Sequence, residues 1–320
     1  MNFLSSTSSP QLPPVSEHRH RYVRFGFFSR KDGSRHQRYR CQDCGATTSD
    51  AFFNPCYRQR RRDLNPLIFG HLVSCVSMRR SARLLKTNRK TVVRKFLVLG
   101  KFCDQKLASD RAFFAPASEV EFDDLETFVH TKMKPLSVLM VVESGTRHIL
   151  GWSVATMAAK GRLAKASVKK YGKQRDERKF KRDQLFMDLK PHIEPWAIIK
   201  SDQNPHYSSE VKKHFPFAEH KTFKGRKGCV VGQGELKGGG FDPLFTLNHT
   251  FAMFRDNMKR LSQQTWCTTK KKDRLHLHIA MYVMWHNYGL IPQIENPEVR
   301  WPNLDWHRLT EPPSTINGAS

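Results

Sequence analysis

Nowhere among the 320 residues is there an uninterrupted apolar run of about eighteen, the length a helix needs to cross a bilayer. The opening stretch MNFLSSTSSPQLPP also lacks the charged-then-apolar order of a secretory signal. These two absences argue against membrane insertion and export, and an intracellular, cytoplasmic chain is expected. Acidic residues are scarce, 29 against 55 lysines and arginines, which leaves a formal charge of +26. Cysteine is sparse, with seven residues at scattered spacing; an odd count of that kind favours free thiols or metal ligation over a disulfide framework. No internal repeat is present.

What the chain does have is basic surface and enough apolar content to fold. Hydrophobic residues make up 38% and charged residues 26%, close to ordinary globular usage. A large positive excess repels itself and gains free energy by displacing the counterions condensed on a polyanion, so nucleic acid is the first partner to consider. Ribosomal proteins and proteins that bind anionic membranes share the trait.

Composition divides the chain into segments. Residues 1–16 are rich in Ser and Pro and read as a disordered leader. Aromatic and basic residues then alternate around Gly26, Gly33 and Gly45, consistent with short strands and tight turns in a small β-rich module over 17–60. From 61 to 112 apolar residues recur at helical spacing, with Asn65 and Pro66 placed to start a helix. After a break at Ala115–Ser118 the pattern turns to β, and EVEFDDLETFVH followed by PLSVLMVVESGTRHILGWSVA reads as strand, strand, turn, strand. This opens an α/β domain over 117–292. Within it, residues 160–184 read as a solvated basic insertion, AIIKSD as a short strand, and about 244–287 as long helix; residues 293–320 form a tail.

Three constellations carry chemistry. Cys41 and Cys44 in YRCQDCGATTS have the C-x-x-C spacing that lets two thiolates of one turn bind a zinc ion, and His18 and His20 are the nitrogen ligands on offer. A metal-free knuckle is the alternative. The segment SCVSMRRSARLLKTNRKTVVRKFLVL fits a helix-turn-helix in which Ser81, Ala82, Leu84 and Leu85 pack the first helix. Its second helix presents Arg89, Lys90, Arg94 and Lys95 to DNA, with Val92, Val93 and Phe96 turned inward. Lastly, Asp123 and Asp124 sit in one predicted strand and Asp202 closes another. Phosphodiester cleavage by two magnesium or manganese ions roughly 4 Å apart needs carboxylates on neighbouring strands. The plainer alternatives are surface charges on an edge strand and a helix cap at Asp202.

These pieces, in this order, resemble bacterial insertion-sequence transposases that join a zinc ribbon and a helix-turn-helix to a DDE catalytic domain of the ribonuclease H-like fold. The resemblance rests on RYRCQDCGATTS, ARLLKTNRKTVVRK, FDDLETFVHTKMKPLSV, SDQNPHY followed by HFP and His220, LNHTFAMFRDNMKRLSQQTWCTTKK and a closing YVMWHN, collinear over about 270 residues. It implies a mixed sheet with flanking helices, with Asp123 as the first and Asp202 as the second acidic residue of a magnesium site. The family's third acid, a glutamate seven residues before an arginine, is here Asn248, seven before Arg255. An asparagine carbonyl can ligate magnesium but adds no charge, and Glu235 and Asp242 are the nearest substitutes. A basic helix with Arg255, Lys259 and Arg260 is implied to hold the phosphates of the element's end. The expected activity is metal-dependent strand cleavage and strand transfer, by at least two protomers on paired ends of double-stranded DNA at the bacterial nucleoid. Two rivals are an inactive DNA-binding regulator derived from such an enzyme and an RNA-binding protein with a zinc knuckle.

Overall fold

The computed structural model describes residues 21–50 other than 32 and 34, 59–224, 242–262 and 265–292. The described residues belong to two compact units, one ending at Arg60 and one beginning at Arg61. The leader, His18, His20, Glu235 and the tail from 293 lie outside the described residues.

The first unit is a three-stranded antiparallel sheet in the order β1-β2-β3, from Tyr22–Ser29, Arg35–Cys41 and Thr47–Ser49. Gly26, at φ +67°, lies where the β1–β2 register slips between Arg24 and Phe27, a bulge that only a residue without Cβ accepts cheaply. Cys41 and Cys44 flank a turn closed by Gly45 N–H to Cys41 O at 3.0 Å.

The second unit opens with helices α1 (Leu64–Val73), α2 (Met78–Leu84) and α3 (Arg89–Asp110). Helix α2 is capped by Ser77, and α3 by Asn88, whose side chain accepts from Lys90 N at 2.8 Å. Lys86, at φ +45°, ends the intervening turn. Ile68, Leu72, Val92, Phe96 and Leu99 make the helical core, as the periodicity predicts. Leu84 departs from expectation and lies mostly exposed, because the short α2 turns only Ser81 and Ala82 inward.

A five-stranded mixed sheet follows, in the order β6-β5-β4-β7-β8. Its strands are β4 (Ala117–Phe128), β5 (Pro135–Glu143), β6 (Ile149–Thr156), β7 (Ile193–Asp202) and β8 (Glu219–Phe223). The first three form an antiparallel meander, while β7 and β8 run parallel to β4. Helices cover both faces. On one, α5 (Arg178–Leu189) and α6 (Pro205–His214) bury Leu185, Phe186, Leu189, Tyr207 and Val211 against Val120, Phe122, Val141 and Ile199. On the other lie α7 (Phe245–Asn257) and α8 (Lys272–Trp285). Burial on both faces explains why β5 carries the unbroken apolar run VLMVV. The basic stretch 160–184 contributes α4 (Leu163–Tyr171) and the start of α5.

Helix α8 joins the helical segment to the sheet. His278 Nε2 donates to Leu72 O at 2.8 Å, and Trp152 Nε1 donates to His276 Nδ1 at 3.2 Å. That second bond fixes the His276 tautomer, so its Nε2–H donates to Asp104 Oδ1 at 2.9 Å. Where α3 crosses α8, a Cβ on Gly100 would stand 2.8 Å from Leu277 Cβ and 3.0 Å from its carbonyl oxygen. Neither atom is the free end of a side chain. Gly100→Ala is therefore expected to lower stability by about 1–3 kcal/mol despite the better helix former, measured as a lower urea midpoint.

Among the described residues no helix is long and apolar enough to cross a membrane.

Candidate active site

The candidate site forms where the parallel strands β4 and β7 lie side by side. Glu121 pairs with Lys200 across them, and two residues further along each strand stand Asp123 and Asp202, level in the sheet. Side chains alternate along β4, so Phe122 and Asp124 face α5 and α6, while Glu121 and Asp123 share the opposite face.

Asp123 is half-buried, and desolvation is the main reason its carboxyl is pushed up to about 6; the nearby charges of Asp202 and Asp124 push the same way. Hydrogen bonds from Asp124 N, at 2.7 Å, and from the Tyr207 hydroxyl, at 3.2 Å, oppose the rise, and both end on Oδ1. Asp202 Oδ1 accepts from Asn204 N at 3.0 Å, which ties the end of β7 to the cap of α6. Ser201 Oγ donates to Asp202 O at 2.9 Å and stands 2.9 Å from His220 Nε2, so the imidazole is placed to donate to the hydroxyl.

Asp124 has a different role. Its Oδ1 accepts from Ser137 Oγ at 2.6 Å, and its Oδ2 accepts from Tyr207 at 3.0 Å and from Arg182 at 3.2 Å. Arg182 forms a fork with Glu210, with one bond at 3.1 Å, and its guanidinium lies 4.9 Å from the centre of the Tyr207 ring. This buried Asp124–Arg182–Glu210 set holds the floor beneath Asp123. Arg182 and Glu210 are functional residues that sequence reasoning passed over, since Arg182 stands in a stretch taken as solvated.

Glu121 is a third such residue. It is buried, and burial raises its pKa. Its Oε2 accepts from Leu247 N at 2.9 Å and its Oε1 from Ser144 Oγ at 3.0 Å. A carboxylate at the first turn of α7 complements the helix dipole and seats the buried Leu247, one residue before the exposed Asn248. Asn248 Nδ2 donates to Asp242 Oδ2 at 2.9 Å, and Asp242 Oδ1 accepts from Leu244 N at 3.1 Å. Asp242 thus closes the helix entry, and among the described residues the Asn248 carbonyl oxygen has no donor. Glu235 lies outside the described residues.

Asp123 and Asp202 are the two carboxylates at this place that a divalent cation could use. The Asp202 charge disfavours that of Asp123, and the Arg182 guanidinium is committed to Asp124 and Glu210. Asp123 and Asp202 would hold such an ion, with the Asn248 carbonyl as a neutral ligand. Among the described residues no group of three or more His, Cys, Asp or Glu side chains is arranged for a metal.

Two expectations about basic residues are corrected. Lys95 is buried, and its ammonium donates to Asn65 Oδ1 at 2.7 Å, so it braces α3 against α1 instead of facing a ligand. Arg89, Lys90 and Arg94 on the same helix are exposed. The expected long basic helix ends at Asn257, where Cys75 N–H takes its carbonyl at 2.7 Å. Beyond it Thr269 bridges to Val129 at the end of β4. Arg255 remains exposed on α7, Lys259 is half-buried, and Arg260 is turned inward with its guanidinium 5.7 Å from the centre of the Phe96 ring. Burial lowers the Arg260 pKa to about 10.

Compared with known proteins, the chain matches no family model, and no curated protein is matched.

Proposed function

We propose that the chain is a DNA transposase resembling those of bacterial insertion sequences, with a ribonuclease H-like catalytic domain that cleaves a strand and directs the freed 3′-hydroxyl at target DNA. The observation that carries this reading is the position of Asp123 and Asp202, each two residues beyond the Glu121–Lys200 pair of adjacent parallel strands, with the Asp123 pKa raised by burial and by Asp202. The sheet order, an antiparallel meander continued by two parallel strands with helices on both faces, is the architecture that the reading requires. Magnesium or manganese bound there would polarise the scissile phosphate and activate the attacking oxygen. The protein's part is to hold both carboxylates rigid: Tyr207 and the Asp124 amide orient Asp123, Asn204 orients Asp202, and Glu121 seats α7 with Asn248 alongside.

Duplex recognition in this proposal falls to Arg89, Lys90 and Arg94 at the start of α3, in a helix-turn-helix formed with α2, and to Arg255 on α7. Element ends and target are both double-stranded DNA, and pairing of two ends calls for a homo-oligomer. The first unit is proposed as a zinc ribbon with Cys41, Cys44 and one or both of His18 and His20 as ligands. Metal analysis of the purified protein is expected to find about one zinc per chain, lost on Cys44→Ala.

The test is cleavage and joining of duplexes carrying the element's ends, with magnesium or manganese. Wild type is expected to cleave, and Asp202→Ala to lose about a thousandfold or more, in line with the several kcal/mol that a metal contributes to the transition state. Cleavage that survives Asp202→Ala overturns the site. The second reading, an inactive DNA-binding regulator, is favoured by one feature, an asparagine at the third position whose amide is tied to Asp242. Duplex binding without any cleavage by wild type would establish it.

A further inference from the structure

The sheet of the first unit exposes side chains that a β-rich module normally buries. Val23, Phe25 and Phe27 on β1 are 38%, 42% and 53% exposed. Register puts Val23 opposite Arg40 and Phe27 opposite Gln37; alternation therefore places Phe25, Arg38 and Arg40 with Val23 on one face and Arg35 with Phe27 on the other. Each ring is framed by guanidinium groups. Arg38 and Arg40 lie 5.3 and 5.6 Å from the centre of the Phe25 ring, and Arg35 lies 4.1 Å from that of Phe27. None of these three arginines has a carboxylate partner among the described residues. The two described acidic residues of the unit are engaged elsewhere, Asp43 with Arg21 and Asp50 with His36.

We infer that the Phe25 face of this sheet is a docking surface for single-stranded DNA, with an unpaired base stacking on Phe25 and with Arg38 and Arg40 taking the phosphates. An open aromatic ring offers every base a π-face, whereas the stacked interior of a duplex gives it no access. Arginines without a carboxylate partner among the described residues supply the charge complementarity, and their planes extend the stacking surface. The choice of DNA over RNA rests on the function proposed above, because strand cleavage by the same chain exposes single-stranded DNA. The base-stacking surface itself rests only on the first unit.

The experiment is fluorescence anisotropy of the full chain with a labelled oligo(dT) of about a dozen nucleotides, in chelator and without divalent metal, beside a duplex of equal length. Phe25→Leu is expected to weaken oligo(dT) binding about tenfold, Phe25→Trp to restore it, and duplex affinity to change less than roughly twofold in both. Arg38→Gln with Arg40→Gln is expected to reduce the salt dependence by about 0.7 in the log–log slope for each phosphate that is no longer neutralised. Circular dichroism verifies the fold, which an exposed position should preserve. Unchanged oligo(dT) affinity in Phe25→Leu, or an equal loss on duplex, overturns the inference; tenfold preference for oligo(rU) over oligo(dT) overturns the assignment to DNA. Asp202→Ala is expected to bind oligo(dT) as wild type does, which separates this surface from the metal site.

Discussion

Arg182→Met is expected to destabilise the second unit by about 3–5 kcal/mol, measured as a fall in the chemical denaturation midpoint and in Tm. The guanidinium is 5% exposed and its partners Asp124 and Glu210 are 14% and 6% exposed. Methionine fills the volume but leaves two buried carboxylates facing each other without a counter-charge. The cost is thus the desolvation of stranded anions, not the loss of one ion pair. A companion variant separates the two: Arg182→Met with Glu210→Leu removes the cation and one anion together and should recover most of the loss. If Arg182→Met alone costs under about 1 kcal/mol, the set is not an electrostatic brace and Asp123 is oriented by something else.

That set marks the boundary of what the sequence could disclose. Strands β4 to β6 were legible because alternation and an unbroken apolar run are local signals, and Asp123 and Asp202 stood out as acids at the ends of such runs. Arg182 was not legible. Its neighbours KFKRDQ are charged, and its burial is decided by Asp124 and Glu210, partners brought together only by the folded sheet. Strand β8 escaped for a related reason: EHKTF is polar and short, and it counts as a strand only because β7 offers a parallel edge. Helix periodicity across 244–287 ran over a real interruption, at 258–262 and 265–271 among the described residues, where Thr269 makes the bridge to Val129 at the end of β4. Lys95 and Arg260 were misjudged because a long basic side chain reads as exposed, although here the Lys95 ammonium finds Asn65 of α1 and the Arg260 guanidinium the Phe96 ring. Glu121 carried no signal at all, since a glutamate in a strand gives no hint that a helix start lies above it.

Asp123→Asn is expected to abolish metal-dependent cleavage, by about a thousandfold or more, and at the same time to make the metal-free protein more stable at neutral pH. The stability arm follows from the carboxyl pushed up to about 6. Below an unfolded-state pKa of about 4 the group is protonated in both states and costs nothing; above pH 6 it is ionised in both, and the folded state carries a penalty on the order of 3 kcal/mol. Stability is therefore lost as pH rises from about 4 to 6, and the neutral amide should recover it only at the upper end. Both hydrogen bonds observed at this side chain end on Oδ1, which asparagine retains as its carbonyl, so the substitution removes charge while preserving that geometry. Thermal denaturation in chelator should show a raised Tm for Asp123→Asn at pH 7.5 and no difference at pH 4. Added magnesium should raise Tm for wild type by mass action and leave the variant unmoved. A variant no more stable than wild type at pH 7.5, or stabilised equally at both pH values, would mean that Asp123 bears no buried charge, and with it would go the electrostatic case for a cation between these two strands.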